Sequence, residues 1–195
     1  MKTLKIVAFA VIVIALLALF RAWHHHDEME KLASMIRSGD AAGVSQLIAS
    51  HPNLVNANFD SRTRLKPLDL AANHGQETIC SNLIAAGANV NSQDLAGETP
   101  LFSAFGTPNS NVLAMLLQHG ASVTLTNIDG HTALFNAIIA GDTNAVVMML
   151  QYGADPMLKD RFGKTPLDQA KESTIPTNED VVRILSEAIS KVTNR

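Results

Sequence analysis

The sequence predicts an all-α solenoid, about five helix-turn-helix units of 33 residues stacked in a row, preceded by one N-terminal transmembrane helix. Three observations predict it. Gly-Ala closes an apolar run three times, at Gly87-Ala88, Gly120-Ala121 and Gly153-Ala154, each 33 residues after the last. A Thr-(Pro/Ala)-Leu triplet recurs with the same period at 99–101, 132–134 and 165–167, one period after Lys66-Pro67-Leu68. An unbroken apolar run extends from Ile6 to Phe20, flanked by Lys2, Lys5 and Arg21.

The apolar run comes first. Fifteen residues exceed most secretory signal cores, and Leu4 to Trp23 supplies the roughly 20 residues of a full span if Lys5 and Arg21 snorkel to the headgroups. Trp23 then sits in the interfacial aromatic belt. Signal cleavage needs small residues at −3 and −1, and the two best registers put Phe20 or Leu16 at −3. An uncleaved signal anchor over residues 1–23 is the favoured reading; a cleaved signal that releases the rest is the alternative. Lys2 and Lys5 on one side against Arg21 on the other favour a cytoplasmic N-terminus with the repeats across the membrane. Residues 24–27, His24-His25-His26-Asp27, read as a polar juxtamembrane collar.

From residue 28 each unit has the same order of parts. Thr is placed to N-cap a helix, Pro suits its first turn, and Leu begins the buried face. A second apolar run follows, TICSNLI at 78–84, VLAMLL at 112–117 and AVVMML at 145–150. Gly after it closes that helix in the left-handed region. Gly97, Gly130 and Gly163, two residues before each threonine, suit tight turns. The units fall at about 28–60, 61–93, 94–126, 127–159 and 160–195, with atypical first and last members as solvent-facing caps.

The stretches DLAGETPLFSA (94–104), NIDGHTALFNA (127–137) and DRFGKTPLDQA (160–170), with GANVN, GASVT and GADPM at the ends, resemble the ankyrin-repeat family over about 28–190. The resemblance implies a protein-binding module without catalysis. It departs from the family at the histidine after TPL, which here is Asp69, Phe102, Phe135 or Asp168, so bonding between repeats must be made differently. GTPNSN at 106–111 is expected to shorten the first helix of the third repeat, and ESTIPTNED interrupts the fifth.

Other chemistries find no foothold. Formal net charge is −3, with acidic and basic residues interspersed, which argues against a nucleic-acid surface. One cysteine, Cys80, excludes an intrachain disulfide and reads as a buried inert thiol. No nucleophile elbow, zinc-protease helix, phosphate loop or dinucleotide fingerprint occurs. Three adjacent histidines cannot all face one metal from a helix, and no carboxylate or cysteine pattern completes a set, so no metal, cofactor or small-molecule substrate is expected. His51 and His119 read as helix-end residues, and His74 as a helix-end polar residue.

Family resemblance also implies where a partner protein would bind: the turn tips and the exposed side of each first helix. Position by position, the tips are Arg62, Thr63 and Leu65; Leu95, Ala96 and Glu98; Ile128, Asp129 and His131; Arg161, Phe162 and Lys164. The helix positions are Leu70, Asn73, Ser103, Asn136, Ile139 and Gln169. Leu65, Leu95, Ile128 and Phe162 put one large apolar residue at each central tip, where polar residues are usual. Such a row suits an anchoring stripe rimmed by charge; packing of tip on tip is the alternative. The resulting expectation is a membrane-tethered module for an unidentified protein partner, anchored through residues 4–23. The compact, loop-poor units and the Lys-flanked anchor resemble those of bacterial proteins, a resemblance that would place the repeats in the periplasm. A periplasmic immunity or chaperone-like protective role, with the anchor released by cleavage, is the alternative function.

Overall fold

A computed structural model of the chain describes residues 2–105, 110–173 and 178–193. Of residues 2–12, 20–23, 110 and 178 it describes the backbone only. Among the described residues the chain forms ten α-helices: α1 (Lys2–Ser38), α2 (Ala41–Ser50), α3 (Pro67–Asn73), α4 (Glu77–Ala85), α5 (Pro100–Ser103), α6 (Ser110–Gln118), α7 (Ala133–Ile139), α8 (Thr143–Gln151), α9 (Pro166–Glu172) and α10 (Asn178–Thr193). The odd-numbered helices contact one another in sequence, and so do the even-numbered ones, so the molecule is two parallel layers of helices. Each helix pair covers the apolar face of its neighbour, and one continuous core runs through the stack, including Leu32, Leu68, Leu101, Leu134 and Leu185.

The stretches expected to be an anchor, a collar and the start of the first repeat form one helix. Neither Pro nor Gly interrupts residues 2–38, and the break comes at Gly39, whose φ is +76°. The expected boundaries at 23/24 and 27/28 therefore both fall inside α1. Among the described side chains its buried face begins at Glu28 and Met29 and continues through Leu32, Ala33 and Ile36. Upstream, Val13, Ile14, Leu16, Leu17 and Leu19 are exposed. Among the described residues no helix is long and apolar enough to cross a membrane. Much of the apolar run read as a span lies in side chains outside the described residues.

Left-handed glycines end the second helices as predicted: Gly87, Gly120 and Gly153 all have φ near +85°. The third repeat has the short first helix expected of it, four residues in α5 against seven in α3, α7 and α9. Residues 106–109 and 174–177, part of the two irregular stretches, lie outside the described residues.

The threonine caps need correction. Thr99, Thr132 and Thr165 all stand at the N-cap with extended backbone, but only Thr165 caps with its side chain. Its Oγ1 accepts from Asp168 N at 3.2 Å, while the Asp168 carboxylate accepts from Thr165 N at 3.0 Å, closing a capping box. Phe102 and Phe135 occupy the place of Asp168 and cannot reciprocate. There the first-turn N–H bonds the threonine carbonyl instead, at 2.8 and 3.0 Å, and the hydroxyls of Thr99 and Thr132 are buried without partners. Cys80 is fully buried, and burial pushes its thiol up to about 12, as an inert core residue requires.

Candidate partner-binding surface

Three central tips repeat one hairpin. Asp94 N bonds Glu98 O, Asn127 N bonds His131 O, and Asp160 N bonds Lys164 O, each at 2.9 Å. The side chain that opens each hairpin also accepts backbone N–H groups: Asp94 from Glu98, Asn127 from Asp129 and His131, Asp160 from Phe162 and Lys164. Burial works against the charge on Asp160, but those two N–H donors and His131 outweigh it and hold its carboxyl below the ordinary value.

Consecutive tips are joined by backbone. Leu95 N donates to Thr63 O at 2.9 Å, Ile128 N to Ala96 O at 2.8 Å, and Arg161 N to Asp129 O at 3.0 Å. A Cβ on Gly130 would lie 2.8 Å from Arg161 N, so glycine there is required by its φ of +78° and by the next tip pressing on it. Arg64 occupies the same column one repeat earlier than Gly97 and takes φ +57° despite its side chain.

On this row Leu95, Ile128 and Phe162 are 49%, 64% and 66% exposed. The predicted fourth member is not with them. Leu65 is half-buried against the core, because it shares the register of Glu98, His131 and Lys164, the strand that leaves the tip. Nor is the row a single column: Leu95 and Ile128 share one, and Phe162 lies one residue further along. Arg161 takes the Leu95 column, and its guanidinium lies 4.7 Å over the Phe162 ring, pairs with Asp129 at 2.9 Å and donates to Ile128 O at 3.3 Å.

The remaining predicted residues divide by exposure. Arg62 and Asn73 are exposed; Glu98, Ser103, Asp129, Asn136 and Lys164 are half-buried. Lys164 pairs with Glu172, which raises its pKa. His131 faces its own structure: its ring stacks on Phe135 at 4.7 Å and Nε2 lies 3.3 Å from Asp160 Oδ2 in the next repeat. Leu70, predicted on the exposed side of α3, is buried, whereas Ile139 at the end of α7 is 46% exposed.

Two features escaped the sequence reading. A groove of about 680 Å³ opens between α8 and α10, lined by Leu150, Pro156, Ile184 and Val192 among others, none of them a tip residue. At the other end of the stack, His24, Glu28 and His51 converge. Glu28 Oε1 lies 3.1 Å from His24 Nε2 and 2.7 Å from His51 Nε2. The sequence reading set no carboxylate beside the histidines; the fold places Glu28 between two of them. Sequence spacing hides the cluster because α1 and α2 fold back on each other and bring His51 to Glu28 from 23 residues away.

Comparison with known proteins gives two family matches. A model described as ankyrin repeats (3 copies) matches residues 31–127, and one described as ankyrin repeats (many copies) matches residues 116–170. Among curated proteins, the chain is 35% identical over 94 residues to a serine/threonine-protein kinase VIK of Arabidopsis thaliana. That match takes in 48% of this chain and 18% of the kinase, so the chain spans under a fifth of its relative's length.

Proposed function

Because the chain belongs to the ankyrin-repeat family, with residues 31–170 matched, we propose that it is a non-catalytic, membrane-tethered module that holds a protein partner on its row of turn tips. The observation that carries this reading is the exposure of Leu95, Ile128 and Phe162 on consecutive tips whose backbones are bonded to one another. Large apolar side chains on a preorganised row lose little freedom when covered, which favours their use as anchors. Arg62, Asp129, Arg161 and Lys164 supply a charged rim. Asn73, Ser103, Asn136 and Ile139 extend the surface onto the first helices.

The tether is residues 4–23, with the N-terminus in the cytoplasm and the repeats outside it, in a periplasm if the host is bacterial. Support comes from the apolar run 6–20, the lysines before it, and the exposure of Leu16, Leu17 and Leu19 on a helix continuous with the stack. The test of both parts is a photo-crosslinker placed at Ile128 in cells, with a second at Tyr152 on the outer layer as control. A tip-specific adduct that disappears in Leu95→Glu/Phe162→Glu, while the protein still melts cooperatively and sediments with membranes, supports the reading. Equal adducts from both positions, or unfolding of the double variant, would make the tips structural. Release of the full-length chain by carbonate would remove the tether.

A further inference from the structure

We propose that His24, Glu28 and His51 form a binding site for one first-row divalent metal ion, zinc above all, that clamps α1 to the end of α2. His24 and Glu28 stand one turn apart on α1, so their side chains leave the helix on the same side. His51 is the C-cap of α2, whose chain reverses at Gly39 and returns alongside α1. The three ligand atoms lie within 4.8 Å of one another. Ligand atoms around a tetrahedral zinc ion sit about 3.3 Å apart, so the 3.1 and 2.7 Å separations need only small side-chain adjustments.

Two further features favour a metal. Glu28 is 8% exposed, a carboxylate buried at the edge of the core and facing two imidazole nitrogens. Buried carboxylates in native proteins are paired or coordinate metals. The Ser50 hydroxyl lies 2.9 Å from Leu47 O, 3.1 Å from Gln46 O and 3.0 Å from His51 Nδ1, where it can accept an N–H from the ring once Nε2 is given to a metal. An Nδ1–H held by a second group is the arrangement that orients a metal-ligating imidazole.

Donor chemistry selects the ion. Two imidazole nitrogens and one carboxylate suit Zn²⁺ and its first-row neighbours, whereas Ca²⁺ and Mg²⁺ require more oxygens. Three protein ligands leave a position for water, and the set opens onto a cavity of about 330 Å³ that Asp27 and Lys31 also line. His25 and His26 belong to the same run but not to the set; His26 pairs with Glu30 at 3.5 Å on the surface.

Zn²⁺ titration of the chelator-treated full-length chain in detergent, followed by calorimetry and melting, tests the proposal. One ion bound per chain and a melting midpoint raised by about 5 °C at a hundredfold excess over Kd are expected. His24→Gln and His51→Ala should each weaken binding about tenfold or more. His26→Gln should not, and Ca²⁺ should not compete. Co²⁺ should give d–d absorption bands that His24→Gln abolishes. His24 is exposed, so that variant folds whatever happens to His51→Ala. Absence of saturable binding would overturn the site. So would a loss in His26→Gln equal to that in His24→Gln, which would assign zinc to the surface histidine run.

Discussion

Asn56 clasps the backbone of Asn89 one repeat later: its Oδ1 accepts from Asn89 N at 2.9 Å, and its Nδ2 donates to Gly87 O at 2.9 Å. Asn91 repeats the arrangement on the next loop, accepting from Ser122 N at 2.7 Å and donating to Gly120 O at 3.0 Å. Gln93 adds a bond to Thr126 O at 3.1 Å. These amides bond one repeat to the next. Asn91→Ala is expected to destabilise by about 1–2 kcal/mol, the net worth of two hydrogen bonds. Asn91→Asp, which keeps the acceptor and loses the donor, should fall between it and the natural protein in urea denaturation.

Arg64 and Gly130 occupy one column with opposite consequences. Arg64 is an exposed, non-glycine residue at φ +57°, so Arg64→Gly should stabilise by about 0.5–1 kcal/mol. Gly130→Ala should cost about 2–4 kcal/mol, combining left-handed strain with a Cβ set 2.8 Å from Arg161 N. Gly163, on the last tip, has φ +81° and nothing within 4 Å of the place a Cβ would take, so its alanine variant should lose only about 1 kcal/mol. Melting temperatures of the three variants give the order directly.

Asp69 links stability to pH. Burial raises its pKa from 3.8 to about 7, against a lowering contribution from the Lys66 N–H bond, with Asp94 adding a smaller rise. Oδ2 accepts from Lys66 N at 2.9 Å, and Oδ1 is buried without a partner. The folded state binds this proton more tightly than the unfolded one. Its stabilising effect is therefore complete below about pH 4 and is lost as pH rises to about 7. Asp69→Asn keeps the backbone acceptor and removes the charge. It should exceed the natural protein by on the order of 2 kcal/mol at pH 8 and lose that advantage near pH 4. Chemical denaturation at the two pH values measures the difference.

Tip and core residues should separate cleanly in thermal melts. Leu95→Glu and Phe162→Glu change side chains that are half or more exposed and should shift stability by less than about 0.5 kcal/mol each. Leu134→Ala, at a fully buried position, should cost about 2–5 kcal/mol.

The repeat is legible in the sequence because it is written in backbone requirements: a left-handed glycine or a proline in the first helical turn recurs wherever the same geometry recurs. Helix pairing and the short α5 follow from that. Side-chain outcomes are less legible, since they depend on neighbours far along the chain. Thr99 and Thr165 have the same local sequence frame, yet the residue three places on decides which one caps its helix. Leu65 resembles a tip residue because no glycine marks the turn at Arg64; its register lies one step past that turn, which carries it inward. His51 is joined to Glu28 only by the tight turn at Gly39, which spacing along the chain does not reveal.

The unbroken helix α1 has a consequence for direction. With the proposed tether, no hinge separates the bilayer from the first repeat, so the compass bearing of the tip row is set by counting residues. At 3.6 residues per turn, one residue inserted near Ala22 would swing the row by about 100° and lift it about 1.5 Å, whereas seven would return it almost to its original heading roughly 10 Å higher. A partner confined to the same membrane would then meet the stack only at particular insertion lengths. Angular phase, more than reach, becomes the quantity on which its engagement depends.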